Sequence, residues 1–253
     1  GLTTLIVHPE DIYNEFSSGK PDVTALRRFL KMFYDRSSTP QYLLLFGDGT
    51  YDNRMISSVW SNDEKQAMLL TYQSENSTSE TESYVTDDYF GFLDDSEGIY
   101  LGSDGLDIGI GRIPVRSKQE AATAIQKIKK YLTNSDPGIW QNNLTFVADD
   151  ADASKNEPSG ELAHITDIDS YTTSLKNNFP EYTISKIYLD AYERVQTANG
   201  ARYPSVKEAV IKNLNEGTSL LTFSGHGSPN DWTHEYVMTY SDIEAMSNTK
   251  LPV

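Results

Sequence analysis

The most informative part of the sequence is Ser219-Leu220-Leu221-Thr222-Phe223-Ser224-Gly225-His226-Gly227, in which an apolar run leads directly into a histidine between two glycines. The run predicts a buried strand, and glycine lets the backbone turn where that strand ends. Ligand-binding and catalytic groups of α/β proteins gather at such strand ends. We therefore expect His226 to be accessible and to act as a general acid or base. A structural histidine in a glycine-rich turn is the alternative.

Outward from this stretch, short apolar runs alternate with segments of helical periodicity. This alternation predicts an α/β fold with largely parallel central sheets flanked by helices. Asp22 is placed to cap a helix that starts at Val23, and Ser117 with Glu120 forms a capping-box pattern. The predicted strands are residues 4–7, 42–46, 68–72, 106–110, 144–147, 182–188 and 219–223, and the predicted helices are residues 23–33, 117–132, 162–179, 206–215 and 241–246.

A polar break with proline and glycine at residues 134–138 divides the pattern into two parts. It predicts an N-terminal subdomain of residues 1–136 and a second subdomain of residues 137–253 that contains His226. Residues 1–3 read like the middle of a protein, and residues 251–253 read like the start of another strand. We therefore expect a chain that is truncated at both ends.

The composition excludes several classes of partner. The 253 residues include 21 basic and 37 acidic side chains, a net charge of −16, so nucleic acid and anionic membranes are not expected partners. Divalent cations suit such a surface better. No apolar run approaches the roughly 20 residues that span a bilayer, and we expect no membrane insertion. The sequence has no cysteine, which rules out disulfides and zinc-thiolate sites within it.

Aspartates follow one predicted strand and lie early in the next predicted helix. Asp149, Asp150 and Asp152 come directly after residues 144–147, and Asp167 and Asp169 belong to the predicted helix 162–179. Carboxylates at strand ends either orient an imidazole or bind calcium through oxygen ligands. The spacing differs from that of an EF-hand loop. Solvated charge in an acidic chain is the alternative for each single aspartate.

Three residues near His226 carry weaker signals. Ser224 is the nearby hydroxyl that suggests a serine nucleophile, but the Gly-x-Ser-x-Gly pattern is absent and a turn role fits it better. Trp232 and Glu235 follow the histidine closely and are candidates for shaping a substrate pocket. Ordinary loop packing is the alternative for both.

Five motifs in series resemble the gingipain-like cysteine peptidases. They are YLLLFGDG at 42–49, TDDYFG at 86–91, IGIGRIPV at 108–115, FVADD at 146–150 and FSGHG at 223–227. The resemblance extends over nearly the whole chain. It implies a caspase-like α/β fold of two subdomains, the second with a histidine in Gly-His-Gly and a cysteine at the end of the following strand.

The resemblance also implies roles for individual residues. His226 matches the family histidine, and the cysteine is expected beyond Val253. An acidic residue orients the histidine in this family, for which Asp167 is the first candidate and Asp169 the second. The Gly227 N–H is a candidate for stabilising the oxyanion.

Further expectations concern ligands and location. Trp232 and Glu235 fit the loop that follows the histidine in this family. Structural calcium, with Asp149, Asp150 and Asp152 as ligands, is expected, and no organic cofactor is.

Within this family the chain resembles the sortase of the type IX secretion system. That resemblance implies a cysteine endopeptidase and transpeptidase at the cell surface, on the outer side of the outer membrane. Its partners would be other type IX secretion components and secreted cargo, whose C-terminal sorting domain it removes before joining the cargo to a surface glycolipid. The isolated chain, lacking the cysteine, is expected to be inactive.

Two alternatives to this enzyme remain open. One is a non-catalytic calcium-binding scaffold or interaction module with the same fold, and the other is a serine hydrolase that uses Ser224.

Overall fold

The computed structural model describes residues 1–36, 40–75, 83–99, 101–133, 136–151, 162–228, 230–250 and 252. The chain divides into two compact units, Gly1–Gln126 and Lys127–Val253. The boundary drawn from the sequence, after residue 136, lies beyond the C-terminal end of the helix in which this division falls. Among the described residues, no helix has both the length and the apolar character needed to cross a membrane.

The first unit is built around two parallel strands, β1 and β4, with Leu43 opposite Ile110. Asp22 caps α2 by accepting a hydrogen bond of 2.8 Å from the Thr24 N–H, as the sequence predicts. The elements of this unit are α1 (Pro9–Phe16), α2 (Val23–Asp35), β1 (Tyr42–Phe46), α3 (Asn62–Ala67), β2 (Tyr72–Gln73), β3 (Val85–Thr86) and β4 (Gly109–Ile113), and α4 (Lys118–Thr133) starts within it.

One face of the β1–β4 pair carries the core of this unit. Leu45 packs there with Leu26 and Leu30 of α2 and with the fully buried Phe90. The opposite face of β1 presents Tyr42, Leu44 and Phe46, which are exposed. Among the described residues, β1 therefore lacks the helical cover on both faces that the sequence predicts.

An ion pair joins two of the sequence motifs of the first unit. Arg112 in β4 donates two hydrogen bonds of 2.7 Å to the carboxylate of Asp87, and its guanidinium also reaches the backbone carbonyls of Gly47 and Leu70. Paired donors of this kind suit the planar carboxylate. The motifs at 86–91 and 108–115 thus support each other structurally.

The second unit is built around a parallel sheet of three strands in the order β6-β5-β9. Its elements are β5 (Asn143–Ala148), α5 (Leu162–Asn178), β6 (Thr183–Tyr188), β7 (Val195–Thr197), β8 (Gly200–Arg202), α6 (Pro204–Glu216), β9 (Leu220–Ser224), β10 (Asp231–Trp232), β11 (Met238–Thr239) and α7 (Tyr240–Glu244). The strands β7 and β8 form a hairpin, and β10 pairs antiparallel with β11.

Both faces of this sheet are covered. Val147 of β5 packs in one apolar cluster with Val206 and Val210 of α6, whereas Phe146 packs on the other side with Ile168 of α5. Adjacent residues of a strand point to opposite faces, so a strand buried on both sides needs a continuous apolar run. The predicted parallel sheet flanked by helices is confirmed here.

Three predicted strands differ from those observed. Residues 4–7 form no strand, and Leu5 and Ile6 are exposed. The strand predicted at 106–110 begins at Gly109, because the Asp107 N–H bonds to the Gly91 carbonyl instead of to a neighbouring strand. The strand predicted at 68–72 is reduced to a bridge at Met68 and to the start of β2. Residues 251 and 253, where a further strand is expected, lie outside the described residues.

Candidate active site

The candidate site forms where β5 and β9 end side by side. The two strands are parallel neighbours with Ala148 opposite Ser224, so the residues that follow each strand emerge at the same edge of the sheet. The Asp149 N–H donates to the Ser224 carbonyl at 3.0 Å and continues the ladder by one bond. This register places Asp149 beside the Gly225-His226 turn.

Asp149 holds His226 through two hydrogen bonds to one carboxylate oxygen. Its Oδ2 accepts the backbone N–H of His226 at 2.9 Å and lies 3.0 Å from Nδ1 of the imidazole. Its Oδ1 accepts the Asp150 N–H at 3.0 Å. A carboxylate can only accept, so Nδ1 carries the proton and Nε2 keeps the lone pair that a general base needs.

The pair combines a buried acid with an accessible base. The Asp149 side chain is 4% exposed and that of His226 is 52% exposed. The carboxylate is therefore shielded from water, whereas the imidazole can meet a substrate. This is the arrangement that orients a catalytic histidine in acyl-transfer enzymes.

Gly225 is needed because Asp149 and the strand approach it closely. A Cβ atom at this position would lie 2.5 Å from the Asp149 Cβ and 2.7 Å from the Phe223 Cζ. Both distances are far below ordinary carbon contact. Glycine before the histidine therefore follows from the contact between the carboxylate and the turn, not from backbone flexibility alone.

Gly227 lies in a short antiparallel bridge with Trp232. The bonds that make the bridge flank the glycine: the Thr233 N–H donates to the His226 carbonyl at 2.9 Å, and the Ser228 N–H donates to the Asp231 carbonyl at 2.8 Å. Within the described residues, the Gly227 N–H makes no hydrogen bond. Gly227 is exposed, so this N–H, next to His226, is available to an oxyanion.

Asp167 and Asp169, which the sequence suggested as partners of His226, lie elsewhere on α5. Asp167 is exposed, and Asp169 accepts hydrogen bonds from Lys186 at 2.6 Å and from Tyr188 at 3.2 Å. The hydrogen bond from Lys186 holds the pKa of Asp169 below its ordinary value. The structure gives the orienting position to Asp149 instead, a strand-end carboxylate for which the sequence left both an imidazole-orienting and a calcium-binding role open, and which the family resemblance placed among the calcium ligands.

Trp232 and Glu235, in the loop after His226, differ in their contacts and in their burial. The Trp232 ring stacks on Phe223 with centroids 4.5 Å apart and planes at 5°, close to the end of β9. Glu235 is buried, and Arg194 donates to its carboxylate at 2.9 Å. Trp232 is half-buried, whereas Glu235 is buried.

Two of the predicted calcium ligands, Asp149 and Asp150, lie close to Glu235. Asp149, Asp150 and Glu235 bring carboxylate oxygens within 4.8 Å of one another, and Asp152 lies outside the described residues. Asp149 is bonded to His226 and to the Asp150 N–H, Asp150 accepts from the Tyr203 hydroxyl at 2.9 Å, and Glu235 is paired with Arg194. Calcium, with Asp149, Asp150 and Asp152 as its ligands, stays a prediction.

Two further histidines, which no sequence motif singled out, lie near His226. The His164 ring on α5 meets the His226 ring edge-on with centroids 5.2 Å apart, and the His234 ring is 6.2 Å away. His164 Nδ1 lies 3.1 Å from the Ser224 hydroxyl. Ser224 is thus paired with His164 and not with the histidine that Asp149 orients.

The fold and the sequence both resemble known peptidases. In solved structures, gingipain R (RgpB), an Arg-specific cysteine proteinase, matches with 17% identity over 96% of this chain and 45% of its own, at a TM-score of 0.60. The complex of RgpB pro- and mature domains from Porphyromonas gingivalis matches with 17% identity over 100% of this chain and 48% of its own, also at 0.60. These matches show the caspase-like fold of gingipains.

A third solved structure, dimeric latent PorU from Porphyromonas gingivalis, is 40% identical over 54% of this chain and 14% of its own, with a TM-score of 0.44. The chain spans less than half the length of each of these three proteins. No curated protein matched the chain. The family model described as peptidase family C25 matches all of residues 1–253. The chain therefore belongs to peptidase family C25, the gingipain family.

Proposed function

We propose that this chain is part of a cysteine endopeptidase and supplies the acid–base half of its active site. The observation that carries the proposal is the Asp149–His226 pair, formed at the aligned ends of β5 and β9 in a chain of peptidase family C25. The buried carboxylate, the exposed imidazole and the free Gly227 N–H support the same conclusion.

The geometry suits a two-step acyl transfer. A cysteine thiol gives its proton to Nε2 of His226, and the thiolate attacks the scissile carbonyl to form a carbon–sulfur bond. The negative oxygen that develops accepts the Gly227 N–H. As the carbon–nitrogen bond breaks, His226 returns the proton to the leaving amine, which leaves a thioester. Asp149 stays ionised throughout and stabilises the imidazolium.

The thiol must come from outside this sequence, because its 253 residues contain no cysteine. We propose that the cysteine follows Val253 in the complete protein, as the family resemblance implies. The same reasoning makes the isolated chain inactive towards peptide bonds.

The finer role that we propose is that of a type IX secretion sortase. In that role an amine, and not water, resolves the thioester, so that cargo without its C-terminal sorting domain becomes joined to a surface glycolipid. The enzyme would act at the cell surface, on the outer side of the outer membrane, with other type IX secretion components. The resemblance carried by the five sequence motifs supports this role.

The test compares this chain with a longer protein that includes the continuation after Val253. The longer protein should cleave a peptide substrate, iodoacetamide should inactivate it, and His226→Ala should abolish cleavage. This chain should show no cleavage under the same conditions. Cleavage by the 253-residue chain that His226→Ala abolishes would contradict the proposal, as would a continuation without cysteine.

A second candidate function is a non-catalytic scaffold, which the absence of cysteine from the sequence favours. It predicts that the longer protein binds secretion partners or cargo unchanged after His226→Ala. The serine hydrolase has less support, since the Ser224 hydroxyl faces His164, whose ring has no carboxylate partner among the described contacts. Labelling of Ser224 by a fluorophosphonate would support the serine hydrolase instead.

A further inference from the structure

Three buried carboxylates, one of which is the partner of His226, lie close to one another. Asp149, Asp150 and Glu235 place oxygen atoms within 4.8 Å of one another. Their residues are 3%, 7% and 6% exposed. Like charges this close repel each other, and burial removes the water that would screen them. Such a cluster stays ionised only if a cation or hydrogen-bond donors compensate it.

The chain itself supplies one cation to this cluster. The Arg194 Nη2 donates to Glu235 at 2.9 Å, and the Arg194 side chain is 40% exposed. Burial raises the pKa of Asp150, and the charges of Glu235 and Asp149 raise it further, whereas the Tyr203 hydroxyl and Arg194 act in the opposite direction. Arg194 therefore acts on two of the three carboxylates.

We propose that Arg194 is a positioning residue for His226, whose guanidinium neutralises the Asp149–Asp150–Glu235 cluster in the place that a divalent cation takes in other carboxylate clusters. The effect of Arg194 on catalysis rests on the proposed function. The electrostatic role of Arg194 is testable without any peptidase activity.

The position of Arg194 in the fold links it to the histidine loop. It directly precedes β7, while Arg202 at the end of β8 lies over the Tyr236 ring, 4.5 Å from its centroid. The two ends of one hairpin thus hold Glu235 and Tyr236, which are adjacent in the loop after His226. That loop is bonded to the histidine itself, because the Thr233 N–H donates to the His226 carbonyl at 2.9 Å.

Two residues of this loop have an unfavourable backbone conformation. Thr233 and Tyr236 have φ angles of 59° and 57°, in the left-handed region that residues with a side chain seldom adopt. The Glu235 contact with Arg194 and the Tyr236 contact with Arg202 lie at or between these two positions. Of the two arginines, Arg194 alone contacts a carboxylate of the cluster, so their effects can be separated.

The experiment uses calcium alone as the probe and NMR signals of the His226 ring as the readout. In the wild-type chain, calcium should leave these signals unchanged. Arg194→Met removes the charge and keeps the length of the side chain, so calcium should then shift the His226 signals saturably, with a Kd of about 1 mM or tighter. Before calcium is added, Arg194→Met should also mix the two ring tautomers of His226.

Two variants separate charge from structure. Arg194→Lys keeps the positive charge and should behave like the wild type. Arg202→Met removes the arginine at the other end of the same hairpin and should also leave the His226 signals without a response to calcium. A calcium response in the wild type, the same response in Arg194→Lys, or no change of any kind in Arg194→Met would overturn the proposal.

Two further variants, Glu235→Gln and its combination with Arg194→Met, test the proposal if Arg194→Met is too unstable for the NMR experiment. Glu235→Gln removes one negative charge, so Arg194→Met/Glu235→Gln should recover most of the Tm that Arg194→Met loses. A double variant as unstable as the sum of both single changes would contradict the charge argument, because independent effects add and coupled ones do not.

Discussion

Asp149 and His226 are joined through a single oxygen, the Asp149 Oδ2, which accepts both the backbone N–H at 2.9 Å and the ring Nδ1–H at 3.0 Å. The same atom therefore fixes the position of the turn and the orientation of the imidazole. Any change to this carboxylate should alter the histidine backbone and ring together. This coupling leads to the first prediction.

Asp149→Asn should disturb the tautomer of His226. An amide in this place can present either its oxygen or its nitrogen to the ring, so both tautomers of the imidazole become populated. In the wild type, nitrogen NMR of the ring should show a single form that is protonated at Nδ1. Asp169→Asn is the matched control, since Asp169 is bonded to Lys186 and Tyr188. A single Nδ1–H form that persists in Asp149→Asn would show that the carboxylate does not set the tautomer.

Gly225→Ala should destabilise the second unit. The added methyl would lie 2.5 Å from the Asp149 Cβ, so the turn must move away from the strand end. We expect a loss of about 2 kcal/mol in the free energy of unfolding, measured with urea.

Gly111→Ala in β4 is the control for this loss, because nothing lies within 4 Å of its added methyl. It should change the free energy of unfolding far less. Equal effects of the two substitutions would argue against the close contact between Gly225 and Asp149.

Asp150→Asn should gain stability relative to the wild type as pH rises. Burial raises the pKa of Asp150, so the folded protein binds this proton more tightly than the unfolded chain does. The stabilisation from this group is complete below the unfolded pKa of about 3.9 and is lost as pH rises through the folded pKa. Asparagine avoids that loss and still accepts the Tyr203 hydroxyl.

Asp169→Asn provides a control of opposite sign. The hydrogen bond from Lys186 lowers the pKa of Asp169, so its stabilisation is present above the unfolded pKa and is lost as pH falls through the folded one. The stability of Asp169→Asn relative to the wild type should therefore fall as pH rises from acidic values through the folded and unfolded pKa of Asp169. Urea unfolding at several pH values measures both trends, and equal trends in the two variants would contradict these assignments.

The elements of the second unit could be predicted because local patterns specify them. The buried strand β5 and the strand before His226 are mainly apolar, and α5 and α6 show helical periodicity. The hairpin of β7 and β8 was missed because its strands have three residues each, too few for a periodic signal.

The partner of His226 could not be predicted, because it depends on which strands are neighbours. Asp149 and His226 are 77 positions apart in the chain and meet only because β9 pairs with β5 in the register that aligns Ser224 with Ala148. Arg194 and Glu235 likewise meet across 41 positions. The motif at 146–150 did carry a usable signal, namely an aspartate at the first position after a buried strand.

The catalytic role of the Asp149–His226 pair should be measurable as kcat/KM for peptide cleavage by the longer protein that carries the cysteine. His226→Ala and Asp149→Asn should each lower it by about 100-fold or more, because both remove parts of one acid–base unit. Asp167→Asn, on the exposed side of α5, should stay close to the wild type. If Asp149→Asn matched Asp167→Asn and kept wild-type kcat/KM, the Asp149–His226 pair would not be the acid–base half of the active site.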